Sequence, residues 1–184
     1  MTMPVCFVDL DGVLVDFVGG ALKLHNKPLP MDVVTWDFDQ QVGLSAQEFW
    51  SPLGEEFWAN LEWTAEGVAL LVCLDELFRG RVALLSSPCA TPGCCDGKRQ
   101  WVRKHLGPDW LKRLMLSSAK HLFAAPGKVL IDDNNENVDA FVGAGGRAVL
   151  TPRPWNRRRH ECETGGRFNV AKLLDEVEKG LEDF

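Results

Sequence analysis

Two pairs of carboxylates follow predicted strands. Asp9 and Asp11 come directly after the apolar run 5–8, and Asp132 and Asp133 come after the apolar run 129–131. Ligands of open α/β sheets bind beyond the carboxyl ends of the strands, so the two pairs meet if their strands are neighbours. Four carboxylates at one place repel one another, and their oxygens suit Mg²⁺, which also binds substrate phosphates. The spacing therefore predicts a magnesium site.

Hydroxyl and lysine side chains follow two other predicted strands. Ser86 and Ser87 come after the run 82–85, and Lys120 follows the run 114–116. A phosphoryl transition state needs its spreading negative charge neutralised and its attacking and leaving atoms held in line. An aspartate nucleophile, a metal ion, a hydroxyl and a lysine meet those needs. The combination predicts phosphoryl transfer, with Ser86 and Lys120 binding phosphate.

The elements that position these residues alternate along the chain. Helices are predicted after the capping box at 45–48, through 70–78, over 96–106, around 138–142 and after Asn169. Strands at 5–8, 82–85, 114–116, 129–131 and 148–150 separate or precede them. This order predicts an α/β fold, a Rossmann-like parallel sheet with helices on both faces. The aromatic-rich segment 17–79 is expected to form a small helical cap inserted after the first strand, on a core of residues 1–16 and 80–184.

Composition narrows the class of ligand. The formal charge is −6 and the sequence pI is about 5.2, which argues against a long nucleic acid but not against a small phosphorylated substrate. No apolar stretch is long enough to span a membrane, and the N-terminus lacks the pattern of a signal peptide. Cys6 and Cys73 lie in apolar runs and are interpreted as buried hydrophobes, so a cytoplasmic location is expected. Homodimer formation is compatible with the sequence.

The motifs resemble those of a known superfamily. The segment Asp9–Val13, DLDGV, looks like the DxDG[TV] signature of the haloacid dehalogenase (HAD) superfamily, and Ser86, Lys120 and the pair at 132–133 match its later motifs in order. The resemblance implies that Asp9 is the nucleophile and that Asp11 is the acid and base. It also implies that the Asp9 carboxylate, the Asp11 carbonyl and Asp133 hold Mg²⁺, with Asp132 as a supporting or alternative ligand.

A finer resemblance covers most of the chain. The segments DLDGVLVDF, LLSSPCATP, KRQWVRKHLGPDWLKRLMLSSAK and VLIDD are similar to those of the 5′(3′)-deoxyribonucleotidases. This similarity implies hydrolysis of nucleoside monophosphates, with deoxy substrates preferred. It also implies that Phe17 and aromatic residues of the cap enclose the base. The short cap of this chain departs from the family pattern.

Several residues allow a structural as well as a functional interpretation. Most of the cap aromatics are expected to form its core, with one or two stacking on a base (Trp36, Phe38, Phe49, Trp50, Phe57 and Trp58). Cys89, Cys94 and Cys95 are spaced poorly for zinc and are interpreted as unpaired thiols. The arginines at 157–159 are assigned to a solvated loop, with attraction of an anionic substrate as the alternative. Lys98 and Arg99 are assigned to the solvated face of a helix.

Three other functions remain open at this stage. A phosphatase for another metabolite, such as a sugar phosphate, would use the same site. A phosphorylation-dependent receiver or binding module also uses aspartate, Mg²⁺ and lysine at strand ends, although Asp11 argues against it, since a receiver needs a long-lived phosphoryl group. A catalytically silent relative is the third.

Overall fold

A five-stranded parallel sheet forms the centre of the computed structural model, which describes residues 3–28 and 38–181. The strands lie in the order β3-β2-β1-β4-β5. Their bounds are Val5–Val8, Val82–Ser86, Leu114–Leu116, Lys128–Asp132 and Arg147–Leu150 for β1 to β5. Val8 at the end of β1 lies beside Leu84 of β2 and Ile131 of β4. The ends of the three central strands are therefore in register.

Both faces of the sheet are covered. Successive side chains of a strand point to opposite faces, and Cys6 and Val8 accordingly belong to one buried cluster, whereas Phe7 belongs to another. The first cluster includes Leu74 and Leu173 from two helices, and the second includes Phe141 from a third. The prediction of a parallel α/β sheet with helices on both faces is confirmed.

Eight α-helices connect and flank the strands in the described part of the chain. Their bounds are Phe17–Leu24, Phe38–Gln41, Ala46–Trp50, Glu55–Ala59, Gly67–Leu77, Cys94–His105, Asn135–Gly143 and Val170–Leu181 for α1 to α8. The predicted capping box is confirmed, because the Ser45 hydroxyl accepts from the Glu48 amide and the Glu48 carboxylate accepts from the Ser45 amide. Helix α6 begins two residues before the predicted start at Asp96, because Gly93, with φ +83°, serves as its N-cap.

Helices α1 to α4 lie between β1 and β2 in the chain and pack on the core through aromatic side chains. Phe38, Phe49 and Trp58 are buried, as expected of a small insert. Their cluster is continuous with the side chains above one face of the sheet, and α5 packs against α8. The division into a core and a cap at 17–79 stays a prediction. Trp36 lies outside the described residues.

Among residues 3–28 and 38–181, each helix is too short or too polar to traverse a bilayer.

Candidate active site

A tight turn after β1 presents Asp9 and Asp11 at the edge of the sheet. The Gly12 amide donates to the Val15 carbonyl at 2.8 Å, which closes the turn. Gly12 has φ +75°, and a Cβ built there would lie 2.7 Å from the carboxyl carbon of Asp133. A side chain at this position would therefore separate the two acidic strand ends, and glycine lets them approach.

The carboxylates at the end of β4 have different partners. Asp132 accepts from the Asn134 amide at 2.9 Å and from Lys120 Nζ at 2.6 Å. Asp133 Oδ2 accepts from the indole N–H of Trp155 at 2.7 Å. Asp133 Oδ1 is buried and has no hydrogen-bond partner among the described residues.

Lys120 connects the ends of β1 and β4. Its ammonium lies 2.8 Å from Asp9 Oδ1 and 2.6 Å from Asp132 Oδ2, and the side chain is 1% exposed. Burial alone would lower the pKa of Lys120, but Asp9 and Asp132 together raise it. The lysine therefore carries a permanent positive charge next to the proposed nucleophile.

The assignment of Lys98 to a solvated helix face is wrong. Lys98 is 2% exposed, and its ammonium donates to Asp11 Oδ2 at 2.5 Å, to the Ser86 hydroxyl at 3.0 Å and to the Ser87 carbonyl at 2.6 Å. Burial opposes its charge, but Asp11 and Asp9 raise its pKa above the usual value. Arg99 is exposed, as predicted. The lysine thus joins the end of β1 to the end of β2.

The burial of Lys98 follows the pattern of helix α6. Cys94, Trp101 and Val102 form its buried stripe at helical spacing, and Lys98 lies on that stripe. The spacing of position 98 from the apolar residues of the helix therefore already indicates burial in the sequence. A lysine in such a stripe is usually solvated, and only the neighbouring carboxylate makes its burial favourable.

A cavity of about 210 Å³ opens beside these groups. Asp9, Asp11, Ser87, Lys98 and Asp133 line its polar side. Ser86 lies behind them, fully buried, with its hydroxyl next to Lys98. The structure therefore brings the predicted phosphate-binding and acidic residues to one place.

The apolar side of the cavity is aromatic. Phe17, Trp50 and Trp58 line it. The ring of Phe17 stacks on Trp58 with centroids 5.1 Å apart and on Trp50 with centroids 5.8 Å apart. Phe17 and Trp58 are buried, whereas Trp50 is partly exposed. Of the three rings, Trp50 is the most accessible to a bound molecule.

The acids at this edge carry more negative charge than the lysines compensate. Four carboxylates (Asp9, Asp11, Asp132 and Asp133) face two ammonium groups (Lys98 and Lys120), which leaves two net negative charges when all are ionised. Burial raises the pKa of Asp132 to about 6, and burial next to Asp132 and Asp9 raises that of Asp133 well above its usual value. Burial also raises the pKa of Asp11, although Lys98 opposes this.

A divalent cation fits this donor set. Oxygens of Asp9, Asp132 and Asp133 lie within 4.8 Å of one another. The buried Oδ1 of Asp133 is left without a partner, and a dication would match the two excess charges. Asp132, in contrast to Asp133, is already engaged by Lys120. These observations favour Asp133 over Asp132 as a ligand, the order implied by the sequence resemblance.

Residues of the segment after β5 support the acidic loops, a role that no pattern in the sequence indicates. Arg153 is buried and donates to the Gly12 carbonyl at 2.6 Å, while Glu66 lies 3.3 Å from its guanidinium. Trp155 fixes one oxygen of Asp133. The next arginines belong to ion pairs, Arg157 with Asp139 and Arg158 with Glu161 and Glu176. These pairs favour a structural role over attraction of substrate.

The cysteines are all free thiols. Cys6 is buried as predicted, but Cys73 is only half-buried, because the buried side of α5 is formed by positions 67, 70, 71 and 74 and Cys73 lies beside it. Cys89 and Cys94 lie together near the cavity, and Cys95 is exposed. The three clustered thiols therefore do not converge on one point.

Comparison with known families gives a match over most of the chain. The family described as "5′ nucleotidase, deoxy (Pyrimidine), cytosolic type C protein" matches residues 3–174. This range includes every residue that lines the cavity.

Two curated relatives share the same name. The chain is 32% identical over 139 residues to the mitochondrial 5′(3′)-deoxyribonucleotidase of Mus musculus, a match that covers 68% of this chain and 62% of the relative. It is 28% identical over 142 residues to the cytosolic type of Homo sapiens, a match that covers 70% of this chain and 69% of the relative. The match thus spans less than two thirds of the mouse protein.

Among solved structures, the fold is similar to that of a HAD-hydrolase, YfnB from Bacillus subtilis, solved with magnesium bound. The TM-score is 0.50 at 14% sequence identity, and the match covers 82% of this chain and 87% of the other. At this identity the likeness bears on the fold alone.

Proposed function

The chain belongs to the cytosolic type C 5′-nucleotidase family of the HAD superfamily, and from this membership we propose that it is a magnesium-dependent phosphatase of deoxynucleoside monophosphates. The observation that carries the proposal is the position of Asp9. Its carboxylate lies at the cavity next to the Lys120 ammonium, with Asp11, Lys98 and Asp133 around it. A phosphomonoester placed there meets a nucleophile, an acid and two cations together.

The proposed reaction has two displacements at phosphorus. In the first, Asp9 attacks the phosphorus atom, the bond to the ester oxygen breaks, and Asp11 gives its proton to the leaving alcohol. In the second, Asp11 takes a proton from a water molecule, the water oxygen attacks phosphorus, and the Asp9 carboxylate leaves as inorganic phosphate forms. Burial supports the acid role of Asp11, because it raises the pKa of this carboxyl above its usual value.

Charge stabilisation is assigned to the groups around the phosphate. Ser86 and Ser87 supply a hydroxyl and backbone groups at the end of β2, while Lys98 and Lys120 provide fixed positive charge in a buried environment. Such charges act more strongly there than in water. Mg²⁺ would be held by Asp9, Asp133 and the Asp11 carbonyl, and would neutralise phosphate charge.

The aromatic wall supports a nucleotide as substrate. Phe17 stacks on both Trp50 and Trp58, and Trp50 offers the most accessible ring. Stacking of a base on an aromatic ring is worth about 1–3 kcal/mol. That is roughly a 5- to 150-fold preference over the matching sugar phosphate, since 1.36 kcal/mol corresponds to a factor of ten. An apolar wall rejects an added 2′-hydroxyl only weakly, so the preference for deoxyribose is expected to be milder.

The test measures kcat/KM for dUMP, UMP and deoxyribose 5-phosphate with Mg²⁺. We expect dUMP to be cleaved best, UMP somewhat less well and the sugar phosphate least. Trp50→Ala should lower kcat/KM for dUMP while leaving that for deoxyribose 5-phosphate nearly unchanged. Equal values for dUMP and deoxyribose 5-phosphate in the wild type would overturn the nucleotide assignment and favour a sugar phosphatase. Stable phosphorylation without turnover would favour a receiver.

The cytoplasmic location and the homodimer expected from the sequence both stay predictions. The relatives named above are a mitochondrial and a cytosolic protein, so a cytoplasmic location rests on the sequence. Homodimer formation likewise awaits measurement of the mass in solution.

A further inference from the structure

Two thiols meet at the rim of the cavity, on the loop that joins β2 to α6. Cys89 lines the cavity, and Cys94 is the first residue of α6. The Cys89 amide donates to Cys94 Sγ at 3.2 Å, which places the sulfur of Cys94 against the backbone of Cys89. The two cysteines are therefore neighbours across the loop.

The surroundings distinguish the two thiols. Cys89 is partly exposed, and its Sγ lies 2.7 Å from the Thr91 hydroxyl. The hydrogen bond from Cys94 lowers the pKa of Cys89 to about 6, with smaller support from Thr91 and Lys98. Cys94 is 1% exposed, and its contact with Cys89 and its burial raise its pKa. Cys89 is thus the accessible nucleophile and Cys94 the shielded partner.

We propose that Cys89 is an oxidation site for peroxides and that Cys94 is its resolving thiol. The Cys89 thiolate attacks one oxygen of hydrogen peroxide, the O–O bond breaks, and the second oxygen leaves as water after protonation. The sulfur of Cys94 then attacks the Cys89 sulfenic acid, an S–S bond forms, and the hydroxyl leaves as water with the Cys94 proton. In sum, two thiols and one peroxide give one disulfide and two waters.

The loop geometry links this site to the cavity. Cys89 is two residues after Ser87, and Cys94 is one helical turn before Lys98, whose ammonium binds the Ser87 carbonyl. The oxidised sulfurs would therefore lie in the wall of the phosphatase site. The oxidation itself is chemistry of the two thiols and does not depend on the proposed function.

Peptide mapping after peroxide treatment tests the proposal. The full-length protein is reduced, exposed to hydrogen peroxide at neutral pH, blocked with an alkylating agent and digested. We expect a Cys89–Cys94 disulfide in the wild type, unchanged in the control Cys95→Ser. In Cys94→Ser we expect a sulfenic acid at Cys89, captured by dimedone. Oxidation of the exposed Cys95 with Cys89 and Cys94 still reduced would overturn the proposal.

Alkylation kinetics of the wild type provide a measurement that needs no variant. At pH 6 about half of Cys89 is thiolate, whereas an ordinary thiol of pKa about 8.5 is almost fully protonated. A thiolate of low pKa is also a weaker nucleophile, which offsets part of this difference. The alkylation rate of Cys89 should then exceed that of an ordinary thiol by roughly tenfold. Iodoacetamide should therefore label Cys89 about tenfold faster than it labels glutathione at pH 6. A Cys89 rate equal to or below that of glutathione would contradict the assignment.

Discussion

At the scale of residues, Lys98 holds the carboxylate of the proposed acid, Asp11, in position. Its ammonium holds the Asp11 carboxylate at 2.5 Å and also binds the Ser86 hydroxyl and the Ser87 carbonyl. The aromatic face of Trp58 lies 4.9 Å from the same nitrogen. One side chain therefore contacts the proposed acid, the proposed phosphate site and the aromatic wall.

Replacing Lys98 should cost activity far more than replacing its neighbour. Lys98→Met removes a buried charge from the proposed phosphate site, and loss of one such electrostatic contact should lower kcat by about 10²- to 10³-fold. Arg99→Met, on the exposed side of the same helix, should leave kcat within about twofold. Steady-state phosphate release on both variants checks this. Similar kcat values for the two would show that Lys98 only supports the fold.

The buried carboxylates of the proposed metal site predict how the stability of the protein depends on pH. Carboxyl groups of the unfolded chain lose their protons near pH 4. In the folded protein, burial raises the pKa of Asp132 to about 6 and raises the pKa of Asp133 well above its usual value. The metal-free protein therefore loses stability as the pH rises through this interval. The proposed Mg²⁺ site requires ionised carboxylates, so the increase in Tm on addition of Mg²⁺ should grow from pH 5.5 to pH 8.

Variants at these two positions separate a ligand from its neighbour. Asp133→Asn should raise the Tm of the metal-free protein at pH 8 and remove most of its response to Mg²⁺. Asp132→Asn should retain more of that response, because Asp132 is engaged by Lys120. Thermal unfolding with EDTA and with added Mg²⁺ measures both. An equal Mg²⁺ response in Asp133→Asn and wild type would place the metal elsewhere.

At the scale of elements, the contact between α4 and α6 joins the aromatic side chains of α4 to the proposed phosphate site. Gly97 of α6 faces α4, where a Cβ would lie 2.5 Å from the Glu55 carbonyl and from Trp58 Cβ. The indole N–H of Trp101 donates to the Leu61 carbonyl at 2.8 Å and secures the chain beyond α4. Close approach of the two helices thus places Trp58 under Lys98.

A methyl group at this contact should therefore disturb both helices. Gly97→Ala is expected to lower the free energy of unfolding by about 1–3 kcal/mol, because overpacking forces the helices apart. Gly143→Ala, at the end of α7 with open space around it, should change stability by less than about 0.5 kcal/mol. Urea unfolding of the two variants gives the comparison. A neutral Gly97→Ala would mean that α4 shifts freely on α6.

At the scale of the whole molecule, the strand order explains how much could be predicted from sequence. Asp9, Ser86 and Asp132 were identified because they end apolar strands, and parallel strands bring such ends to one edge. Lys98 and Trp155 were not identified in this way, because their roles depend on how a helix and a distant loop pack against that edge. Local patterns specify strand ends, whereas tertiary packing decides which polar side chains become buried there.

The most direct test of the phosphatase mechanism is to trap phosphate on Asp9. An aspartyl-phosphate is an acyl phosphate, so borohydride added during turnover reduces it to homoserine, which mass spectrometry locates in the peptide. Asp11→Asn, which lacks the base for the second displacement, should accumulate the intermediate from p-nitrophenyl phosphate, a substrate whose leaving group needs no acid. We predict homoserine at position 9 in the presence of substrate and Mg²⁺, and none without substrate. Two results would contradict Asp9 as the nucleophile. One is that the wild type turns over substrate while Asp9 stays unmodified in both the wild type and Asp11→Asn. The other is homoserine at the position of another aspartate.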